Sequence, residues 1–135
     1  MSLTTSLSEV NLLAVVVAGL AHMVTGLVWF TPKLFGNAWA ELTGETLNPA
    51  SRWLVAGLIG HLVIAYVLAV IVSLAGATTA AGGLAVAVLV WVGFVVTLET
   101  GELIWEKIPF RLFLIRIGNH FVALGIAGAI LGAWR

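Results

Sequence analysis

The sequence predicts an all-α membrane protein: four transmembrane helices in a single integral membrane domain, with a short interfacial helix between the first and second. Three observations carry this expectation. Of 135 residues, 61% are hydrophobic and 9% charged, against roughly a quarter charged in a soluble domain. The apolar residues fall into four runs of about 20, the length that crosses a bilayer core. None alternates with a two-residue period, so the runs are helices, which satisfy their own backbone hydrogen bonds in hydrocarbon, rather than barrel strands.

The first span runs from Val10 to Phe30. Ahead of it, "MSLTTSLSEVN" lacks a cationic start, and the run itself exceeds a signal-peptide core, so the helix is expected to be retained. The next connection, "TPKLFGNAWAELTGETLNPAS", carries Phe35, Trp39 and Leu42 on one helical face and suits an amphipathic helix lying in the interface. Asn48, Pro49, Ala50 and Ser51 read as a turn and then a cap for the second span, Arg52 to Ala75. Only "GATT" separates that span from the third, Ala80 to Thr100, which demands a tight antiparallel hairpin. The fourth span is Phe110 to Trp134.

Lys33, Arg52, Lys107, Arg111 and Arg116 sit at the ends joining spans one to two and three to four, while Arg135 is alone on the other side. By the positive-inside rule those two connections face the cytoplasm and both termini lie outside. Trp29, Trp39, Trp53 and Trp105 gather at the same boundary, and Trp134 marks the outer one. Six basic residues balance six acidic ones, and no basic stripe suggests nucleic acid as a partner. The expected partners are the lipid bilayer and further copies of the chain. Cysteine is absent, which removes disulfides and thiolate chemistry. No nucleophile with a neighbouring base is visible, so an enzyme is not expected.

One phrase is nearly doubled. "TGLVWFTPKLFG" closes span one, and "TGELIWEKIPFRLF" closes span three. Each half then continues with Ile-Gly and a nearby His, "IGHLVIA" in span two and "IGNHFVALGIA" in span four. Two hairpins repeated in the same direction would be related by a pseudo-two-fold along the membrane normal, as in some transporters. Chance is the alternative, because an alphabet of Gly, Ala, Val and Leu matches itself readily.

Trp29-Phe30, Pro32, Phe35-Gly36 and Trp39, with the later "RLFLI" from Arg111 and "GAILGAW" from Gly128, resemble domain-of-unknown-function family 1761, small bacterial four-helix membrane proteins. The resemblance covers most of the chain and is strongest at the end of span one. It implies an integral protein of the bacterial inner membrane, and it brings neither an activity nor functional residues.

Polar side chains within hydrocarbon are functional candidates by default. Counted inward from the cytoplasmic ends, His22, His61 and His120 all lie at ~12 to 15 Å depth at 1.5 Å per residue. A polar layer is expected from them, with Asn119 beside His120 and Thr97 facing His120 across the last hairpin. Such histidines can hold helices together, relay protons or cations, or ligate a metal or haem iron, for which His61 and His120 are the pair; the sequence itself names no cofactor. Glu99, Glu102 and Glu106 form an acidic stripe on span three. Hairpin register places Arg116 between Glu99 and Glu102, so an intramembrane ion pair with one of them is expected; the surplus carboxylate, Glu99, then meets water or holds a proton as a proton-coupled carrier would use it, the plainer alternative being that Glu102 and Glu106 are simply wet at the helix end. Gly118, Gly125, Gly128 and Gly132 give span four a small-residue stripe that packs within the fold or against another subunit. A small oligomeric carrier or channel for protons, cations or a small solute accounts for these features. An accessory membrane protein without transport activity is the alternative, and a histidine-ligated haem or metal protein the second.

Overall fold

A computed structural model of the chain describes residues 2–48 and 50–135. Among the described residues, four helices of 18 to 26 residues are long and apolar enough to cross a bilayer, and the protein is an all-α integral membrane protein. A short helix, α1 (Leu3–Glu9), precedes them. The Ser2 hydroxyl caps it by accepting the Thr5 amide, and Asn11 caps α2 (Leu12–Trp29) by accepting that of Ala14. At this end α1 is tied to α4 (Ser51–Leu74): the Tyr66 hydroxyl donates to the Leu7 carbonyl at 2.7 Å, and buried Ser6 lies 3.4 Å from Ser73. Arg135 donates to the Ala77 carbonyl on the same side.

The expected interfacial helix is α3 (Gly36–Thr43), ended by Gly44 at a φ of 73°, where a residue without Cβ avoids the left-handed penalty. It folds back on the end of α2, with Trp29 4.5 Å from Phe35 and Phe30 5.8 Å from Trp39 between ring centroids. Ser51 is the first residue of α4 and not its cap; the cap is Ala50, without a side-chain bond. Pro49, part of the expected turn, lies outside the described residues.

Span three departs from a plain helix. It consists of α5 (Ala80–Val90), a π-helical stretch (Trp91–Val96) and α6 (Thr97–Trp105), and so extends past Thr100. Gly93 is a weak helix former, and the Thr97 hydroxyl donates to the Gly93 and Val92 carbonyls, drawing them out of the regular ladder. Span four is α7 (Phe110–Ala133), which pivots from α6 around Lys107 and Ile108.

The centre of the bundle is α7, which packs on α5, α2 and α4. Its contact with α5 is close because glycines face glycines. A Cβ on Gly83 would overlap the Gly128 carbonyl, and one on Gly128 would stand 2.6 Å from the Ala87 Cβ. The small-residue stripe of span four is therefore spent inside the fold. By contrast α4 and α5, joined by the tight turn, barely touch. A pseudo-two-fold would make that pair the equivalent of α2 and α7, which pack extensively. The packing is not two-fold, and the two Trp of the doubled phrase differ accordingly: Trp29 is half-buried and bonded to α7, whereas Trp105 is 81% exposed.

Away from the cationic end, Ala14, Val15 and Ala18 of α2, Ala65, Leu68 and Val72 of α4, Ala87 of α5, and Leu124, Ala127 and Leu131 of α7 form a continuous core. Small residues let the backbones approach and collect dispersion contacts, the main source of helix association in lipid. That half is closely packed apart from a small hollow of about 160 Å³ at its far end, bordered by Glu9, Asn11, Ser73 and Arg135. The histidines, Asn119 and the Arg116–Glu99 pair collect in the other half.

Candidate functional site

Three helices bring the histidines together. Gly19, three residues before His22 on the same face of α2, leaves room for α4: a Cβ there would lie 2.8 Å from Leu62 Cδ2 and 3.3 Å from the His61 carbonyl. That approach sets His22 Nδ1 2.7 Å from His61 Nδ1, with ring centroids 4.8 Å apart. His22 is only 3% exposed, and its Nε2 has no hydrogen-bond partner among the described residues.

A cleft of about 480 Å³ opens beside this pair, between α2, α4 and α7. Its polar lining is Thr46, His61, Arg116, Asn119 and His120, while Phe30, Trp39 and Trp53 are its aromatic walls. Asn119 faces Gly26, and its buried Oδ1 has no partner among the described residues. On the other side of the histidines a second hollow, about 360 Å³, lies between α4 and span three. Val63, Ile64, Val67, Val90 and Val95 line it, with His22 and His120 at its base. His120 therefore borders both hollows, His61 the cleft and His22 the groove. The three form a septum between a mainly apolar cleft with a polar patch and an almost wholly apolar groove.

Arg116 reaches the cleft from α7, and its guanidinium pairs with Glu99: Nη2 donates to Oε1 at 3.2 Å and Nε lies 3.1 Å from Oε2. The second contact is an ion pair without hydrogen-bond alignment, since Oε2 has no hydrogen-bond partner among the described residues. Glu102 and Glu106 are exposed. Of the two acids expected to compete for Arg116, the nearer to the bilayer centre takes it, so Glu99 is not the surplus carboxylate expected from the sequence; the acid left over is the exposed Glu102.

Thr97 does not join the layer. It is exposed, its hydroxyl is bound to its own helix, and the groove wall beside His120 is Val95. The register explains this: Arg116 meets Glu99 and not position 101, and the same two-residue offset turns a helix face by about 200°. Asn119, expected beside His120, lines the cleft with it. The pair suggested for haem or metal, His61 and His120, shares the cleft wall, but His61 Nδ1 is bonded to His22. Among the described residues no cluster of three or more His, Asp or Glu is arranged around a possible metal ion.

Two tryptophans steady the site. Trp29 Nε1 donates to the Ile115 carbonyl at 3.0 Å and Trp91 Nε1 to the Ile117 carbonyl at 2.8 Å, so indoles from α2 and the π stretch grip α7 on either side of Arg116. Gly118 is the seat of the first; a Cβ there would lie 2.9 Å from Trp29 Cζ2. Trp91 was identifiable from sequence in principle. An indole in mid-span, far from the interfacial belt, must find an acceptor for its N–H.

Chemically, an Nδ1–Nδ1 bond between two neutral imidazoles fixes opposite tautomers: one ring donates from Nδ1 and keeps a lone pair on Nε2, and the other carries its proton on Nε2. A proton arriving at His61 Nε2 from the cleft can displace the Nδ1 proton onto His22 Nδ1, which then holds the charge. Its return along the same bond to the cleft resets the pair, since His22 Nε2 has no acceptor beyond it among the described residues.

Four apolar spans, three of which border a partly polar cleft at one end, define a small integral membrane protein. The chain belongs to the family described as "Protein of unknown function (DUF1761)", which matches residues 13–132. No curated protein and no solved structure matches it.

Proposed function

We propose that this protein is a small carrier that takes a solute into the cleft and exchanges protons with it through the histidines. The observation that carries the reading is the septum, with His61 and His120 on the cleft and His22 behind them, bonded to His61 at 2.7 Å. Glu99 already neutralises Arg116, so the cleft suits a small polar solute of low net charge. The reading involves binding and proton exchange and no catalysis.

The cleft opens at the end that carries five of the six cations, which favours a cytoplasmic mouth and external termini in a bacterial inner membrane. Because the opposite half is packed with Ala, Val and Leu, a static pore through one chain is disfavoured. The route is completed by rearrangement or at a contact between copies, and the carrier acts as a homo-oligomer.

A second reading, an accessory protein without transport, draws on the same bond, which holds α2 to α4 whether or not a proton crosses it. Liposomes with an internal pH-sensitive dye separate the two. After a pH jump, alone and with a panel of small polar solutes outside, wild-type protein is expected to carry protons faster than empty liposomes. His61→Gln, which keeps a hydrogen bond to His22 but cannot relay a proton, is expected to abolish the excess, and Thr97→Val to leave it intact. Wild-type rates equal to those of empty liposomes across the panel would refute the carrier reading and leave the accessory one.

A further inference from the structure

We propose that the cleft between α2, α4 and α7 takes a neutral solute with a flat ring body and one carbonyl-type acceptor at its head, such as an aryl amide or a lactam. The proposal rests on reading the cleft as a solute site, and it narrows the solute. Most of the lining is apolar, made by Leu27, Leu47, Leu54 and the rings of Phe30, Trp39 and Trp53. Phe30 and Trp39 meet edge to face with 5.8 Å between centroids, and aromatic walls favour another ring, offset or edge-on. Two glycines in the lining keep the space open. A Cβ on Gly57 would meet nothing within 4 Å, and one on Gly26 would meet only Asn119 Oδ1 at 3.9 Å. The volume, about 480 Å³, falls within the range of small-molecule pockets.

The polar patch sets the chemistry of the head. Arg116, Asn119 and His120 stand at i, i+3 and i+4 on α7 and so share one strip of it. This strip offers more donors than acceptors. Arg116 spends Nη2 on Glu99, and its Nη1 has no hydrogen bond among the described residues. The Asn119 Oδ1 is buried, which leaves the Nδ2 end of the amide to line the cleft. An oxygen with two lone pairs can accept from the guanidinium and the amide together, whereas a ligand donor would find only a histidine nitrogen or the Thr46 hydroxyl. Charge then decides between a neutral carbonyl and an ion. Arg116 is the one permanently charged residue among those lining the cleft, and Glu99 already neutralises it. A carboxylate would enter without a counter-charge, at the desolvation cost of a buried ion. Aromatic walls can attract a cation, but the Arg52 guanidinium already stands 5.2 Å from the Trp53 ring centroid, and Arg116 lies in the patch. A further cation is repelled by both.

The test uses the full chain in lipid nanodiscs and follows the indole N–H signals of Trp39 and Trp53 by nuclear magnetic resonance. Four probes are titrated: benzamide, acetamide, benzoate and benzylammonium. Benzamide is expected to shift both signals and to leave that of Trp134, at the far end of α7, unmoved. Acetamide, which lacks the ring, and the two ions are expected to bind about tenfold more weakly or worse. Gly57→Leu fills the cleft from a position with room for a side chain, and should weaken benzamide binding about tenfold or more. Asn119→Leu has a similar volume and removes an amide whose Oδ1 is unpaired among the described residues, so its unfolding temperature should stay close to that of the wild type. Benzamide should nevertheless bind it about tenfold more weakly. An ion or acetamide binding as tightly as benzamide, no shift of Trp39 and Trp53 with benzamide, or benzamide affinity unchanged in either variant would overturn the proposal. Proton flux does not enter this assay. Benzamide can fail here while liposomes carry protons with another solute, which ends the proposal and spares the carrier reading. Benzamide can also bind here while liposomes stay silent, which ends the carrier reading and keeps the cleft as a ligand site.

Discussion

Arg116 and Glu99 carry opposite charges within a membrane span, and each makes the other tolerable. The Glu99 side chain is 14% exposed and that of Arg116 34%. Truncating the arginine leaves a mostly buried carboxylate alone, a change that costs about 3 to 5 kcal/mol for fully buried pairs. Arg116→Ala is expected to lose somewhat less than that, because the arginine is partly exposed. Glu99→Gln in the same background should recover part of the loss, and Glu102→Gln alone should be nearly silent. Denaturation in mild detergent of the wild type, Arg116→Ala, Glu99→Gln, their double variant and Glu102→Gln checks this. Equal losses from Glu102 and Glu99 would show that the pair is misassigned. The contact was legible in the sequence because it lies close to a short hairpin, where register is tightly set. The His22–His61 bond was not, since a long connection with its own helix separates α2 from α4 and fixes no register between them. Thr97 shows the limit even within a hairpin: a two-residue offset reverses its face.

At the scale of elements, the four spans could be read from composition alone, because bilayer thickness dictates their length. The π stretch could not. An extra residue in a helix leaves no mark on an apolar run, and its cues, Gly93 and the Thr97 back-bond, are common in membrane helices. Such a stretch absorbs an extra residue while the flanking helices keep their faces. Deleting Gly93 is therefore expected to restore a plain helix with the Gly83 and Ala87 contacts to α7 intact. Deleting Val88 within α5 instead rotates Gly83 and Ala87 by about 100° away from Gly128. Thermal unfolding of the two deletions should show a small loss for Gly93 and collapse for Val88. The reverse order would contradict the assigned geometry. Helix α1 was also missed, since seven residues are too short for a periodic signal, although Ser2 supplies a cap.

Over the whole molecule, α7 acts as the shared wall: close to α5 through glycine, to α2 through Trp29, and at His120 to both hollows. The doubled phrase suggested equivalent halves, yet Gly60 meets nothing within 4 Å while Gly118 seats Trp29. Asymmetry is what parts α4 from α5 and opens the groove. Proton exchange through the histidines depends on the bond between His22 and His61, because it joins the two spaces and fixes the tautomers. The most direct measurement is solid-state nuclear magnetic resonance of histidine-¹⁵N protein in bilayers. A through-hydrogen-bond coupling is expected between the Nδ1 atoms of His22 and His61, with one Nδ1 protonated and the other not. It should vanish in His61→Gln and persist in His120→Gln. Two rings with the same tautomer and no coupling would contradict the account at its centre.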